Sequence, residues 1–131
     1  MISPRCAALA LSLALAGCGK AHARVELSER RAEDADAPSA DLDRAELLHH
    51  EQLDLVEGVP TSRTLVNGNA MELTLLADEG RDDHRVALTV KMPGSTERIE
   101  TTLRGGEPLT HASYPRVRGG VLVLVLRVLP R

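Results

Sequence analysis

Residues Asn67 to Ala77 read N-G-N-A-M-E-L-T-L-L-A, and this stretch decides the fold class. The dipeptide Asn67-Gly68 readily adopts the positive φ angles that a tight hairpin turn requires. After this turn, Met71, Leu73 and Leu75 alternate with other side chains, as they do in a strand that buries one face. The stretch therefore predicts a β-hairpin whose second strand packs on a hydrophobic core.

The same alternation recurs in the following segments, and turn residues such as Pro93-Gly94-Ser95 and Gly105-Gly106 separate them. The predicted strands are residues 52–56, 62–66, 70–77, 85–92, 97–104, 109–114 and 121–126. Successive strands with one polar face favour an antiparallel meander, and its apolar face needs a second layer as cover. We therefore expect a mainly β fold: a small antiparallel β-sandwich or partly open barrel, with a short helical or irregular N-terminal segment.

The C-terminal run Val121 to Leu126 reads V-L-V-L-V-L and has no polar face. It is too short to cross a membrane as a helix, and Arg127 interrupts it. An exposed strand of this composition would promote aggregation. We therefore expect it to be buried on both faces, in the middle of a sheet or between two sheets.

The segment before the hairpins is harder to assign. Val25-Glu26-Leu27 is a candidate short strand, and Arg31 to Asp43 is acidic and almost free of large apolar side chains, which indicates a solvated linker. Its aspartates lack the regular spacing, turn glycine and terminal Glu of an EF-hand calcium loop, so the linker is the favoured interpretation. The next residues are spaced as on one side of a short helix; they are Leu42, Ala45, Leu48 and the more polar Gln52. We therefore expect a helical turn or a loop before the strand at 52–56.

Composition limits the classes of partner. The chain has 131 residues, a formal net charge of −3, one Tyr and no Phe or Trp. Its basic residues are scattered, and it lacks the aromatic platforms on which single-stranded nucleic acids stack. We expect no nucleic-acid partner.

The N-terminus has the features of an export signal. Arg5 supplies a positive charge, Cys6 to Ala16 is an apolar run of the length of a signal-peptide core, and small residues precede Cys18. The sequence Leu15-Ala16-Gly17-Cys18 resembles the lipobox of bacterial lipoproteins. In that class the cysteine thiol receives a diacylglyceryl group, and cleavage leaves the modified cysteine at the new N-terminus. The alternative is an ordinary secretory signal in which Cys18 has no role.

The resemblance implies a domain order and a location. Residues 1–17 would be a lipoprotein signal peptide, 18–24 a lipidated tether, 25–43 a short strand and acidic linker, and 44–131 the β domain. Acyl chains at Cys18 would anchor the protein to a membrane. Gly19 stands where inner-membrane lipoproteins commonly carry Asp, which favours the periplasmic face of the outer membrane. Cys6 would leave with the signal peptide, so no disulfide is expected.

A second stretch resembles secretin-type outer-membrane proteins. Pro60 to Leu75, P-T-S-R-T-L-V-N-G-N-A-M-E-L-T-L, is similar to the place where a Thr/Leu-rich strand of that family meets an Asn-containing turn and an alternating strand. Thr101 to Leu109, T-T-L-R-G-G-E-P-L, is similar to the strand and glycine turn that follow. The resemblance implies a β-module over about residues 60–109 and carries no catalytic motif.

No motif for a reaction or a cofactor occurs in the chain: it lacks a phosphate-binding loop, a nucleophile elbow and a paired-cysteine metal site. Ser113 and His111 would share a strand face, but nothing nearby indicates activation. We therefore assign no catalytic residue, metal ligand or cofactor. The alternative is a periplasmic metal-binding protein or enzyme that uses His84 or His111.

The favoured hypothesis is a non-enzymatic binding or assembly module of the bacterial envelope. Its partners would be the membrane, through Cys18, and another envelope protein. The sole aromatic residue, Tyr114, adjoins the rigid Pro115 and lies near two guanidinium groups. We expect Tyr114, Arg116 and Arg118 to contact that protein.

Overall fold

The computed structural model describes residues 20–33, 45–80, 82–117 and 119–130, and the side chains of these residues except those of 113–116. The described residues form strands and turns. The strands are β1 His22–Ala32, β2 Glu46–Val56, β3 Thr61–Thr64, β4 Ala70–Gly80, β5 Asp83–Met92, β6 Ser95–Leu103, β7 Leu109–Val117 and β8 Gly120–Val128.

These strands form two four-stranded antiparallel sheets with the orders β2-β1-β8-β7 and β3-β4-β5-β6. The chain passes from the first sheet to the second between β2 and β3, and returns between β6 and β7. Pairing of β1 with β8 brings the first and last strands together. The fold is a small antiparallel β-sandwich with up-and-down connections, as the alternating segments predicted.

The core lies between the two sheets and consists of aliphatic side chains. Every second residue of a strand points to this layer, so the periodicity of β4 and β5 is directly visible in their burial. The buried core residues of these two strands are Met71, Leu73, Leu75, Val86, Leu88 and Val90. The first sheet contributes Val25, Leu27, Leu53, Leu55, Leu122, Leu124 and Leu126 to the same cluster.

The C-terminal apolar run lies at the position that its composition predicts. β8 is an interior strand between β1 and β7, and all residues from Val121 to Leu126 are buried. Its leucines belong to the core between the sheets, whereas Val123 and Val125 form a second small apolar cluster with Ala32. Burial on both faces of this strand is therefore confirmed.

The predicted hairpin at Asn67-Gly68 is also confirmed, and it joins β3 to β4. Gly68 has a φ of +90°, in the region that favours glycine. The side-chain Oδ1 of Asn67 accepts a hydrogen bond of 3.1 Å from the N–H of Asn69, which stabilises the turn locally.

The predicted helical turn before residue 52 is wrong over the described residues. Glu46 to Val56 form one continuous strand, β2, at an edge of the first sheet. Its pairing with β1 has an irregularity in which Glu29 is opposite His49 and Arg30 is opposite Leu47, so that Leu48 is an extra residue. Such a bulge shifts the two-residue alternation by one position. This shift explains why the spacing of apolar residues resembled that of a helix.

β1 is longer than the three-residue strand suggested by Val25-Glu26-Leu27. It includes residues assigned to the tether and the linker, and it lies inside the first sheet between β2 and β8. The signal peptide, Cys18, residues 34–44 of the acidic linker and Arg118 lie outside the described residues.

Candidate functional site

Four polar side chains from three strands lie together at one side of the sandwich, and we call them the Glu29 cluster. They are Glu29 of β1, His49 and Glu51 of β2, and Arg63 of β3. β1 and β2 belong to the first sheet and β3 to the second, so the cluster links the two sheets.

The strand registers explain why these side chains meet. Glu29 follows Val25 and Leu27 on the inward face of β1 and is opposite Leu124 of the core. His49 is directly opposite Glu29 on β2, and Glu51 is opposite Leu27. The alternation that buries the leucines therefore also places these three ionisable groups on one side of the sheet, where Glu29 is buried, Glu51 is partly exposed and His49 is exposed.

Glu29 is buried, with 2% of its surface exposed. Its Oε1 accepts a hydrogen bond of 2.7 Å from the backbone N–H of Val66, in the turn between β3 and β4. Burial raises the pKa of Glu29 above its usual value. The hydrogen bond from Val66 and the charge of His49 act in the opposite direction, and the charge of Glu51 adds to the rise.

Glu51 has the opposite electrostatic balance. Burial alone would raise its pKa, but hydrogen bonds from Arg63 and His49, together with their charges, hold the pKa of this carboxyl below its usual value. The Nε of Arg63 donates to Oε1 of Glu51, and Nε2 of His49 lies 3.1 Å from the other carboxylate oxygen. The cluster thus contains one carboxyl whose pKa is raised and one whose pKa is lowered.

His84, one of the two predicted alternative site residues, is buried at the start of β5. Its Nδ1 lies 2.9 Å from Oδ1 of Asp78 on β4, although the two atoms are not aligned as a hydrogen bond. A bulge between Leu75 and Ala77 turns Asp78 to the position opposite His84.

His111, the other alternative, is nearly buried on β7. Its Nε2 lies 3.4 Å from Oε2 of Glu97 on β6, again without hydrogen-bond alignment. This pair joins the first sheet to the second on the side away from β2 and β3. His84 and His111 therefore each face a different carboxylate and do not form one site.

Among residues 20–33, 45–80, 82–117 and 119–130, no three His, Cys, Asp or Glu side chains are arranged to hold a metal ion. Tyr114 and Arg116 lie on β7, but their side chains are not described, and Arg118 lies outside the described residues.

Two depressions lie on the described surface. One, of about 340 Å³, is lined by residues of β3, β4 and β5 that include Ser62, Thr64, Glu72 and Lys91. The other, of about 380 Å³, lies between the β4–β5 and β6–β7 connections and includes Asp82, Asp83 and Gly105. Neither includes a member of the His84 or His111 pairs.

The sequence did contain a signal for the Glu29 cluster. His49, Glu51, Leu53 and Leu55 are two residues apart, as are Leu27 and Glu29, so each polar residue continues the phase of a core strand. A helical interpretation of the residues before 52 does not reveal this two-residue spacing. The chemistry available to the Glu29 cluster is the binding and release of a proton at the Glu29 carboxyl. The cluster does not have the arrangement of an activated nucleophile.

Comparison with protein-family models finds no match to this chain. No curated protein and no solved structure matches it significantly either. Within the ranges that the structure describes, no helix has the length and apolar character needed to cross a bilayer.

Proposed function

We propose that the protein is a lipid-anchored lipoprotein of the bacterial envelope whose β-sandwich is a non-enzymatic binding or assembly module. The observation that carries this proposal is the sequence Leu15-Ala16-Gly17-Cys18, which follows a positive residue and an apolar segment. A thioether-linked lipid requires a thiol, and Cys18 supplies it. Two or three acyl chains at this cysteine would bury enough methylene groups, at about 0.8 kcal/mol each, to hold a soluble domain at a membrane.

The position of β1 supports a role of the sandwich close to the membrane. Residues 19–21 separate Cys18 from β1, and a chain of this length reaches at most about 13 Å. β1 is an interior strand with Val25 and Leu27 in the core, so the anchor would be tied directly to the folded domain. The sandwich would therefore be held close to the bilayer surface.

The topology also distinguishes two ends of the sandwich. At the end where β1 begins, the N–H of Glu57 donates to the carbonyl of Ala21, and the β2–β3 connection lies beside the tether. Because Ala32 is paired with Val121, the β7–β8 hairpin lies at the opposite end. Of the proposed contact residues, Tyr114 and Arg116 lie on β7, which leads into that hairpin, and we propose that the envelope protein binds at this end.

Lipidation is tested by Cys18→Ser in the full chain expressed in a Gram-negative host. We expect the variant to accumulate as an uncleaved precursor without lipid, measured by mass spectrometry and palmitate labelling. Cys6→Ser is the matched control, because this cysteine lies within the signal peptide and should be dispensable. Normal processing and labelling of Cys18→Ser would refute the lipoprotein assignment.

Partner binding is tested by co-purification from membranes with the native anchor intact. We expect one envelope protein to be recovered with the wild type and lost with Arg116→Glu combined with Arg118→Glu. Equal recovery with this double variant would place the contact elsewhere.

The rival hypothesis is a metal-binding protein or an enzyme. It predicts stoichiometric Zn²⁺ binding that His84→Ala or His111→Ala abolishes. Such binding, measured by titration calorimetry, would contradict a purely non-enzymatic role.

A further inference from the structure

The turn from Leu65 to Asn69 belongs to the second sheet and is bonded to the first sheet through the backbone N–H of Val66. Within the turn, Gly68 donates to Leu65 and Leu65 donates to Asn69. Leu65 and Asn69 are buried, whereas Val66 is 46% exposed. The N–H of Val66 points away from its own sheet and donates to Glu29 of β1. Closure of the turn onto the first sheet is thus coupled to the burial of a carboxyl group.

The charged groups around Glu29 come from β2 and β3. β2 contributes His49 and Glu51, and β3 contributes Arg63, which is bonded to Glu51. β8 faces Glu29 with Leu124, which has no charge. Farther along β1, Arg31 lies 3.6 Å from Glu46 of β2, so this cation is bound to another carboxylate.

In this set, no guanidinium group is bonded to Glu29, because Arg63 and Arg31 pair with Glu51 and Glu46. Glu29 accepts a hydrogen bond from the neutral N–H of Val66. A neutral donor stabilises a carboxylate less than a bidentate guanidinium does. An ionised Glu29 in this position therefore bears a desolvation cost that a protonated one does not.

We propose that closure of the Leu65–Asn69 turn onto the first sheet takes up a proton at Glu29, which makes the turn a proton-linked latch between the two sheets. In the closed form, the carboxyl is buried and accepts the Val66 N–H. In the open form, the carboxyl is hydrated and more acidic. The inference concerns the folded sandwich and does not depend on the lipid anchor.

The direction of the pH dependence follows from linkage. Burial raises the pKa of Glu29 in the closed form, and opening returns it towards the ordinary glutamate value. Closure of the turn is therefore most favourable at a pH below the ordinary glutamate pKa. It weakens as the pH rises through the raised pKa of the closed form. Between these two values, the ratio of open to closed turn rises by up to about tenfold per pH unit.

The test is amide hydrogen exchange of Val66 in the full chain, in detergent, from about pH 4 to about pH 8. Rates are divided by the intrinsic rate of an unprotected amide, and the amide of Leu88 in β5 reports global unfolding. We expect the protection factor of Val66 to fall as pH rises through the linkage window, by up to about tenfold per pH unit, while that of Leu88 stays higher. A pH-independent protection factor at Val66 would overturn the proposal.

Three variants assign the proton. Glu29→Gln keeps an acceptor for the Val66 N–H but cannot ionise, so its protection should be independent of pH. Glu26→Gln is the matched control on the same strand, because Glu26 pairs with the exposed His50 at 3.1 Å, and it should behave as the wild type. His49→Gln removes the titratable neighbour and should retain the pH dependence. An unchanged dependence in Glu29→Gln, or its loss in His49→Gln alone, would refute Glu29 as the proton site.

A direct titration covers the case in which Glu29→Gln fails to fold. The carboxyl carbon of Glu29 and the amide nitrogen of Val66 are followed by NMR in the wild-type chain. We expect both signals to titrate with one midpoint that lies above the ordinary glutamate pKa. A Glu29 midpoint at or below that ordinary value, or a Val66 signal that does not follow it, would contradict the latch.

Discussion

The burial of β8 on both faces leads to a quantitative prediction for Val123. Its side chain points away from the leucines of the core, yet it is only 4% exposed. Val123→Ala removes two methyl groups, each worth about 0.8 kcal/mol of burial, and leaves a small cavity. We therefore expect a loss of about 2 kcal/mol in the free energy of unfolding. In a domain of this size, that loss corresponds to a decrease of roughly 8 °C in Tm.

The assay is thermal and urea unfolding of the full chain, followed by circular dichroism. Val66→Ala is the matched control, because this valine is 46% exposed and its truncation should cost less than about 0.5 kcal/mol. Leu124→Ala on the opposite face of β8 should cost about 3 kcal/mol. If Val123→Ala changed stability as little as Val66→Ala, the outer face of the strand would be open to water. The argument that β8 is buried on both faces would then fail.

Two further substitutions test close packing and the ion pair between the sheets. Gly120→Ala places a Cβ at 2.7 Å from the carbonyl oxygen of Ala32, so we expect a loss of about 1–3 kcal/mol in urea unfolding; unchanged stability would contradict this packing. Glu51, whose pKa is lowered, contributes stability above the ordinary glutamate pKa and loses it as pH falls through the lowered one. Arg63→Gln should therefore move acid unfolding, measured by circular dichroism, to higher pH. Arg98→Gln on the exposed surface is the control and should not move it. Identical acid-unfolding curves for Arg63→Gln and the wild type would rule out a contribution from the Arg63 pair.

Much of the second sheet could be predicted from the sequence. β4 and β5 bury every second side chain, so their periodicity reports the strand directly, and Asn67-Gly68 marks the turn between β3 and β4. The continuous apolar run of β8 likewise predicts an interior strand. In each case, the local pattern and the final burial agree.

The first sheet was less accessible to such reasoning. β2 lies at an edge, exposes most of its side chains and contains a bulge at Leu48, so its alternation is interrupted. The length of β1 depends on pairing with β2 and β8, which are far from it in sequence. Neither feature is a property of a short segment.

The candidate site shows the same division. Sequence reasoning selected His84 and His111 because histidines carry chemistry, and the structure separates them and pairs each with one carboxylate. The local sequence does not distinguish Glu29 from the many other acidic residues of the chain. Its burial and its bond to Val66 arise only when the β3–β4 turn of one sheet closes on β1 of the other.

By itself, the sequence determined the β class, the position of the β3–β4 hairpin and the interior location of β8, because these depend on local turn chemistry and on side-chain periodicity. It also contains the motif that predicts an anchor at Cys18. Only the tertiary structure decided that β1 completes the first sheet and that Glu29 is buried beside the Glu51–Arg63 pair. These outcomes depend on strand order, register and one bulge, which bring residues that are distant in the chain into contact.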